Sequence, residues 1–293
     1  MNQPKHLFPY FQPIVGIASG KIIGYEALAR QYDKNNQVVS AGNIFSCKQT
    51  DISQLIEWDR DVRWQALQKF SQINNNSYLT LNISSTWINY ISDSNTLPTL
   101  QMLDKLNIDR KRIIIEITES QCDINKLVKV VKTYRKNGLK VAIDDFGSGF
   151  SQLERVIAIQ PDIIKIDMRL FKQAAKGGIA SDVVHLLTRL SKRTGCRIVC
   201  EGVETDEEFI FGLSCGAQFL QGHLFSQAKA EFQAELSYQK HINSLREKFL
   251  SRFLEKQEVK ISKINTIKKL IIRLKQTLQN DFNLNELTSW GFE

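Results

Sequence analysis

The 293 residues predict an α/β fold, a (β/α)8 TIM-like barrel followed by a helical extension. Three observations carry this reading. Up to about residue 228, short β-branched runs alternate with longer helical patterns, the signature of βαβ units and a parallel sheet. Seven of those runs close on a carboxylate or an amide. The intervening segments repeat apolar residues at three- and four-residue spacing, the period of an amphipathic helix.

Taken in order, the strands run from Ile22 to Glu26, Tyr78 to Asn82, Ile113 to Glu116, Val141 to Asp144, Ile163 to Asp167, Ile198 to Glu201 and Ala217 to Gln221. In a barrel the ends of parallel strands converge on one rim, where the loops build an active site. Seven scattered polar endings then become one cluster. A doubly wound open sheet is the rival architecture, but it brings fewer strand ends to a single crevice. Helices are expected from Ile52 to Phe70 and from Ala180 to Thr194, the second carrying Val183, Val184, Leu186, Leu187 and Leu190.

The bulk numbers permit this. With 42% hydrophobic and 24% charged residues, the chain can bury a substantial core, and barrels of about 250 residues form single domains. No apolar run approaches the roughly 18 residues needed to span a bilayer, and no hydrophobic signal stretch follows Met1-Asn2-Gln3-Pro4-Lys5, so a cytoplasmic protein is expected. Cys47, Cys122, Cys196, Cys200 and Cys215 form no CxxC pair, which suits a reducing compartment. Cys196 and Cys200 flank the run Arg197-Ile198-Val199 and are read as buried small hydrophobes rather than metal ligands.

The net charge of +8 is regional: Lys229 to Asn280 holds twelve Lys and Arg against five Glu. This divides the chain into a barrel, residues 1–228, and a basic helical extension, residues 229–293. No Gly occurs between Gly222 and Gly291 and no Pro follows Pro161, so Lys240 to Leu278 can run as one or two long helices. Ile264, Ile267, Ile271, Leu274 and Leu278 form a heptad-like seam, too short to define a coiled coil. Packing on the barrel or against a partner helix is the favoured role. A nucleic-acid or membrane surface is the weaker alternative.

Five oxygen ligands lie at strand ends: Glu26, Asn82, Glu116, Asp144 and Asp145. Oxygen donors without nitrogen or sulfur suit hard divalent ions such as Mg²⁺ or Mn²⁺. Adjacent aspartates repel one another unless a cation compensates them, so Asp144-Asp145 opening the Gly-rich run Phe146-Gly147-Ser148-Gly149 points to metal. A turn capping the next helix is the alternative. Lys165 and Asp167, two apart on one expected strand, share a face toward the lumen; there a lysine can position water and neutralise phosphorane charge, or form an ion pair with Asp167. Glu201 could join the metals, and Glu204 could support them or merely begin a helix. Together these residue types indicate phosphodiester chemistry assisted by two divalent ions.

The motifs also resemble a known family, the EAL domains. Phe11-Gln12-Pro13-Ile14-Val15 and Gly24-Tyr25-Glu26-Ala27-Leu28-Ala29-Arg30 resemble its opening, and the later blocks follow in the family's order. Those blocks are Leu81-Asn82-Ile83-Ser84, Ile115-Glu116-Ile117-Thr118-Glu119, Asp144 to Ser151, Pro161 to Asp167, Glu201-Gly202-Val203-Glu204-Thr205 and Gln221-Gly222-His223-Leu224-Phe225. The resemblance covers roughly residues 8 to 228. It implies a barrel with an atypical antiparallel first strand, and hydrolysis of cyclic di-GMP to linear pGpG.

By the same resemblance, Glu26, Asn82, Glu116 and Asp144 would hold one ion, and Asp144, Asp145 and Glu201 the second. Lys165 would face the attacking water, with Glu201 and Glu26 completing the catalytic set. Gln221 would help hold the site, while Gln12 and Arg30 would lie close to substrate phosphate or guanine. Glu119 would fasten the loop from Asp145 to Ser151, which in the family couples dimerisation to metal binding, so a homodimer is expected. The chain departs from the family pattern at Ser85 and Ala228, often proline, at Phe150 and His223, often tyrosine, and near Gly16, where an acid is common. No expected ligand is lost. A catalytically weak or inactive module that acts as a cyclic di-GMP receptor, or that engages a protein partner, is the competing function.

Overall fold

The computed structural model describes residues 6–45, 51–83, 88–90, 97–118, 122–148, 152–237 and 239–252, with 255, 265, 268 and 269. By contacts the chain forms two compact units, residues 1–243 and 244–293. The second is helical through 244–252. The expected seam from Ile264 to Leu278 lies outside the described residues, as do Cys47, Ser85, Glu119 and Phe150.

Eight strands close a barrel in the first unit. They are β1 (Phe8–Gly16), β2 (Lys21–Tyr32), β4 (Tyr78–Ile83), β5 (Ile113–Ile117), β6 (Lys140–Phe146), β7 (Ile163–Ile166), β8 (Arg197–Cys200) and β9 (Phe219–Leu220). A ninth, β3 (Val38–Ser40), extends β2 outside the ring. Strands β2 and β4 to β9 pair in parallel. Strand β1 runs antiparallel to both β2 and β9, so the atypical first strand is present and completes the circle.

Local chemistry punctuates the helices between them. Asp51 and Asp123 cap the helices Ile52–Ser71 and Ile124–Lys136, each side chain accepting from a first-turn backbone N–H. Pro98 opens Pro98–Leu106, where its missing N–H costs nothing, and Asn107 ends that helix in the left-handed conformation. Thr205 and Glu208 form a capping box at the start of Asp206–Cys215.

The outer faces of β4 and β5, through Leu79, Leu81, Ile83, Ile113, Ile115 and Ile117, pack against Leu67, Phe70, Leu103 and Tyr134 of the surrounding helices. Burying each such side chain contributes about 1.5–3 kcal/mol. The helix Ile179–Thr194 differs from its expected stripe. It buries Val184, Thr188 and Ser191 and leaves Val183, Leu186 and Leu190 exposed, so its apolar period marked the helix but not the buried face. Cys200 and Cys215 are buried, while Cys122 and Cys196 are partly so.

Inside the barrel the other face of each strand splits by height. Ile14, Ile114, Ala142, Ile163 and Val199 form an apolar cluster where the parallel strands begin. Two residues further along β5, β6 and β7, and just past the end of β8, stand Glu116, Asp144, Lys165 and Glu201.

Candidate active site

Side chains alternate along a strand, so residues two apart share a face. This rule delivers Glu26, Asn82, Glu116, Asp144 and Lys165 to the lumen from five different strands. Lys165, 1% exposed, lies at their centre: its Nζ is 3.0 Å from Glu26, Glu116 and Asp144 and 2.7 Å from Glu201. The remaining contacts tie the wall together. Asn82 Nδ2 donates to Glu26 Oε1 at 2.8 Å, and Gln221 Nε2 donates to Glu26 Oε2 at 2.8 Å and to Gln12 Oε1 at 3.3 Å.

Asp145 requires a separate explanation, because adjacent strand residues normally face opposite ways. Its φ is +53°, in the left-handed region, and the β6–β7 register shifts between Ile143 and Phe146. A bulge at the barrel rim redirects the side chain. Carboxylate oxygens of Asp144, Asp145 and Glu201 consequently lie within 4.8 Å of one another, as do those of Glu26, Glu116 and Asp144. Asp144 belongs to both groups.

Burial dominates the electrostatics. It pushes Glu116 well above the usual carboxylate range, reinforced by Glu26, and raises Asp144. Burial likewise takes Glu201 up to about 8, and burial with the Asp144 charge takes Asp145 up to about 6. Glu26 is lowered: burial would raise it, but Lys165, Asn82 and Gln221 together outweigh that. Burial works against the Lys165 ammonium, yet four carboxylates hold its pKa well above the usual lysine value.

Other expected residues are placed differently. Asp167 does not join Lys165 on a strand: β7 stops at Ile166, and the Asp167 carboxylate caps the next helix, accepting from Arg169 N at 3.0 Å. Arg30 lies four residues beyond Glu26 on β2 and donates to Ala29 O at 3.0 Å, and burial lowers its pKa. Glu204 is half-exposed and bonded to Lys172 Nζ at 2.6 Å, with His223 Nδ1 at 4.0 Å. Sequence reasoning missed Lys172, which sits among ordinary helix lysines with no distinguishing spacing. Glu119 lies outside the described residues.

Close packing fixes the loops behind these groups. At Gly222 a Cβ would meet Val203 O at 2.1 Å, so only glycine lets the chain after Gln221 pass the loop after Glu201.

A family model described as the EAL domain matches residues 2–228. The chain belongs to the EAL domain family. This EAL chain is similar to YkuI of Bacillus subtilis (strain 168), an uncharacterized EAL-domain containing protein, at 25% identity over 219 residues, covering 74% of this chain and 54% of YkuI. The crystal structure of YkuI with c-di-GMP and calcium shares the fold, with a TM-score of 0.79 at 22% identity over 96% of this chain and 69% of that one. PdeB of Escherichia coli (strain K12), a probable cyclic di-GMP phosphodiesterase, is 26% identical over 225 residues, 75% of this chain and 42% of PdeB. BlrP1 of Klebsiella pneumoniae, solved with manganese and cyclic di-GMP, gives a TM-score of 0.67 at 27% identity, over 78% of this chain and 57% of that one. The EAL chain thus spans about half the length of the curated relatives it matches. Among the described residues no helix is long and apolar enough to cross a membrane.

Proposed function

We propose that the chain is a metal-dependent phosphodiesterase that hydrolyses cyclic di-GMP to linear pGpG with two divalent ions, Mg²⁺ or Mn²⁺. The observation that carries this reading is the pair of carboxylate groups sharing Asp144 around Lys165. Fully ionised, the five acids and one lysine leave four negative charges in a buried space, which two dications would balance. A second feature fits the ions: Asn82 Oδ1 is buried without a hydrogen-bond partner among the described residues, on an amide whose nitrogen is held by Glu26. Glu26, Asn82, Glu116 and Asp144 would hold one ion, and Asp144, Asp145 and Glu201 the other.

When bound, the ions supply charge compensation and make water a stronger nucleophile near neutral pH. The chain's own residues do the rest. Lys165 Nζ, a donor only, would hold the attacking water by its oxygen and offset charge gathering on the phosphate. Gln221 and Asn82 fix both oxygens of Glu26 and so orient it. Gln12 and Arg30, near the rim, would meet phosphate or guanine. Asp167 and Glu204 would support the rim through the helix cap and through Lys172. Support from relatives comes from the probable phosphodiesterase PdeB and from BlrP1 with manganese and cyclic di-GMP. A homodimer, and a helical partner for residues 229–293, belong to this proposal.

The test is incubation of the purified chain with cyclic di-GMP and either Mg²⁺ or Mn²⁺, resolving the nucleotides by chromatography. Formation of pGpG that is lost in Glu26→Ala and Lys165→Ala is the expected result. Tight binding of cyclic di-GMP without turnover under either metal would instead establish a receptor.

A further inference from the structure

The lower end of the barrel holds a cavity of about 240 Å³ that reaches up to Glu116 and whose lower lining is used by no step above. Ile14, Ile23, Ile114, Ile163, Val199 and Phe219 line it, so its walls are largely apolar. Two cations stand in its lining at the first residues of their strands, Lys140 on β6 and Arg197 on β8. Lys140 lies over the Tyr78 ring at 5.1 Å and Arg197 over the Phe219 ring at 5.6 Å, and neither makes an ion pair with a described residue. Asp162 also lines the space, but its carboxylate is engaged by Val141 N at 2.9 Å and Arg135 at 3.3 Å. The surplus charge in the lower lining is therefore positive.

Further in, Thr80 is 2% exposed and its hydroxyl has no hydrogen-bond partner among the described residues. An unpaired buried hydroxyl costs free energy unless something meets it. Thr80 is two residues past Tyr78 on β4 and pairs with Ile114, so it stands one pleat repeat above the ring that Lys140 overlies. Glu116 closes the upper side and is satisfied by Lys165.

We propose that this cavity is a binding site for a small apolar monocarboxylate bearing a hydroxyl at its far end. The carboxylate would pair with Lys140 and Arg197, the hydrocarbon would lie against the isoleucines, Val199 and Phe219, and the hydroxyl would reach Thr80 Oγ1. At about 30 Å³ per water-sized group the space admits roughly eight such groups, which sets the size of the molecule. The site is separate from the phosphodiesterase reading and stands or falls without it.

The experiment is calorimetric titration of the full chain, without nucleotide, using 5-hydroxypentanoate, pentanoate and 1,5-pentanediol as probes. Saturable one-to-one binding of 5-hydroxypentanoate is expected. Pentanoate should bind about five- to tenfold more weakly, the worth of one hydrogen bond, and the diol at least about tenfold more weakly for want of its charge. In Thr80→Val the first two probes should become equal. Lys140→Ala and Arg197→Ala should each weaken both acids about tenfold and leave the diol unchanged. Val199→Phe, which fills the space, should abolish binding. The proposal is overturned by no saturable binding to the native chain, by equal affinity of native chain for the two acids, or by binding that survives Val199→Phe. The ratio measured in Thr80→Val keeps the test decisive should Val199→Phe fail to fold.

Discussion

The two halves of the barrel lumen are made by the same strands and have opposite chemistry. On β5, β6, β7 and β8 the lower residues are Ile114, Ala142, Ile163 and Val199, and the residues two further on are Glu116, Asp144, Lys165 and Glu201. A shift of one pleat repeat, about 6.6 Å, takes the lumen from hydrocarbon to five acids around an ammonium. The lower half can be stable on its own terms, because apolar burial needs no partner. The upper half is stable only as a balanced set, since each buried carboxylate depends on Lys165 or on bound cations. Stability and chemistry are therefore separable along the strand axis.

The largest effect should come from Lys165→Met. Removing the shared cation leaves four buried carboxylates facing one another, and about 3–5 kcal/mol of metal-free stability should be lost, read by denaturant melts. Turnover should fall about 10²–10⁴-fold. A melt unchanged by this substitution would break the comparison.

The next effect is on pH. Asp145 at about 6 and Glu201 at about 8 sit above their ordinary values of 3.8 and 4.5, so the folded chain binds more protons than the unfolded one across that window. Metal-free stability should then be highest near pH 4 and fall as pH rises toward 8, the reverse of a salt-bridged acid. Mn²⁺ affinity should rise over the same range as the ligands lose their protons. Melting temperatures from pH 4 to 8.5, with chelator and with Mn²⁺, measure both slopes.

Asn82→Ala should weaken Mn²⁺ binding by about 10- to 100-fold with the fold intact, read by calorimetry. The smallest effect belongs to the lower half: Ile163→Val should cost about 1 kcal/mol and leave Mn²⁺ affinity unchanged. A change in metal affinity there would show that the halves are not separable.

The residues that were legible in the sequence are those whose position follows from strand parity. The endings at Glu26, Asn82, Glu116 and Asp144 converge as the alternating runs predicted. Strand β1 was harder, because Pro9 and Pro13 argue against a strand interior. They are tolerated because they share the parity of Phe11, whose N–H points away from β2 toward Lys229 O. The sequence places Lys165 beside Asp167 on one strand, but the strand ends one residue early and Asp167 caps a helix. Its four carboxylate partners come from β2, β5, β6 and the end of β8, a convergence that only ring closure creates. Adjacency pairs Asp145 with Asp144 in the sequence and the family resemblance groups both with Glu201, whereas the bulge that makes adjacency effective has no clear sequence mark. The exposed stripe of Val183, Leu186 and Leu190 shows the converse, a correct period on a face that stays at the surface of this chain.

The ring itself closes through a narrow joint. Strands β1 and β9 share two paired positions, Val15 with Leu220 and Gly16 with Phe219. The neighbouring contact between Gln12 and Gln221 spans 209 residues of chain. Joining ends so far apart in sequence is entropically slow. The N-terminal hairpin already sets Gln12 opposite Glu26, but Gln12 meets Gln221 only when β1 locks against β9. Ring closure therefore completes the wall around Glu26, and the same strands left as an open sheet would hold their acids on separated strand ends with no common centre.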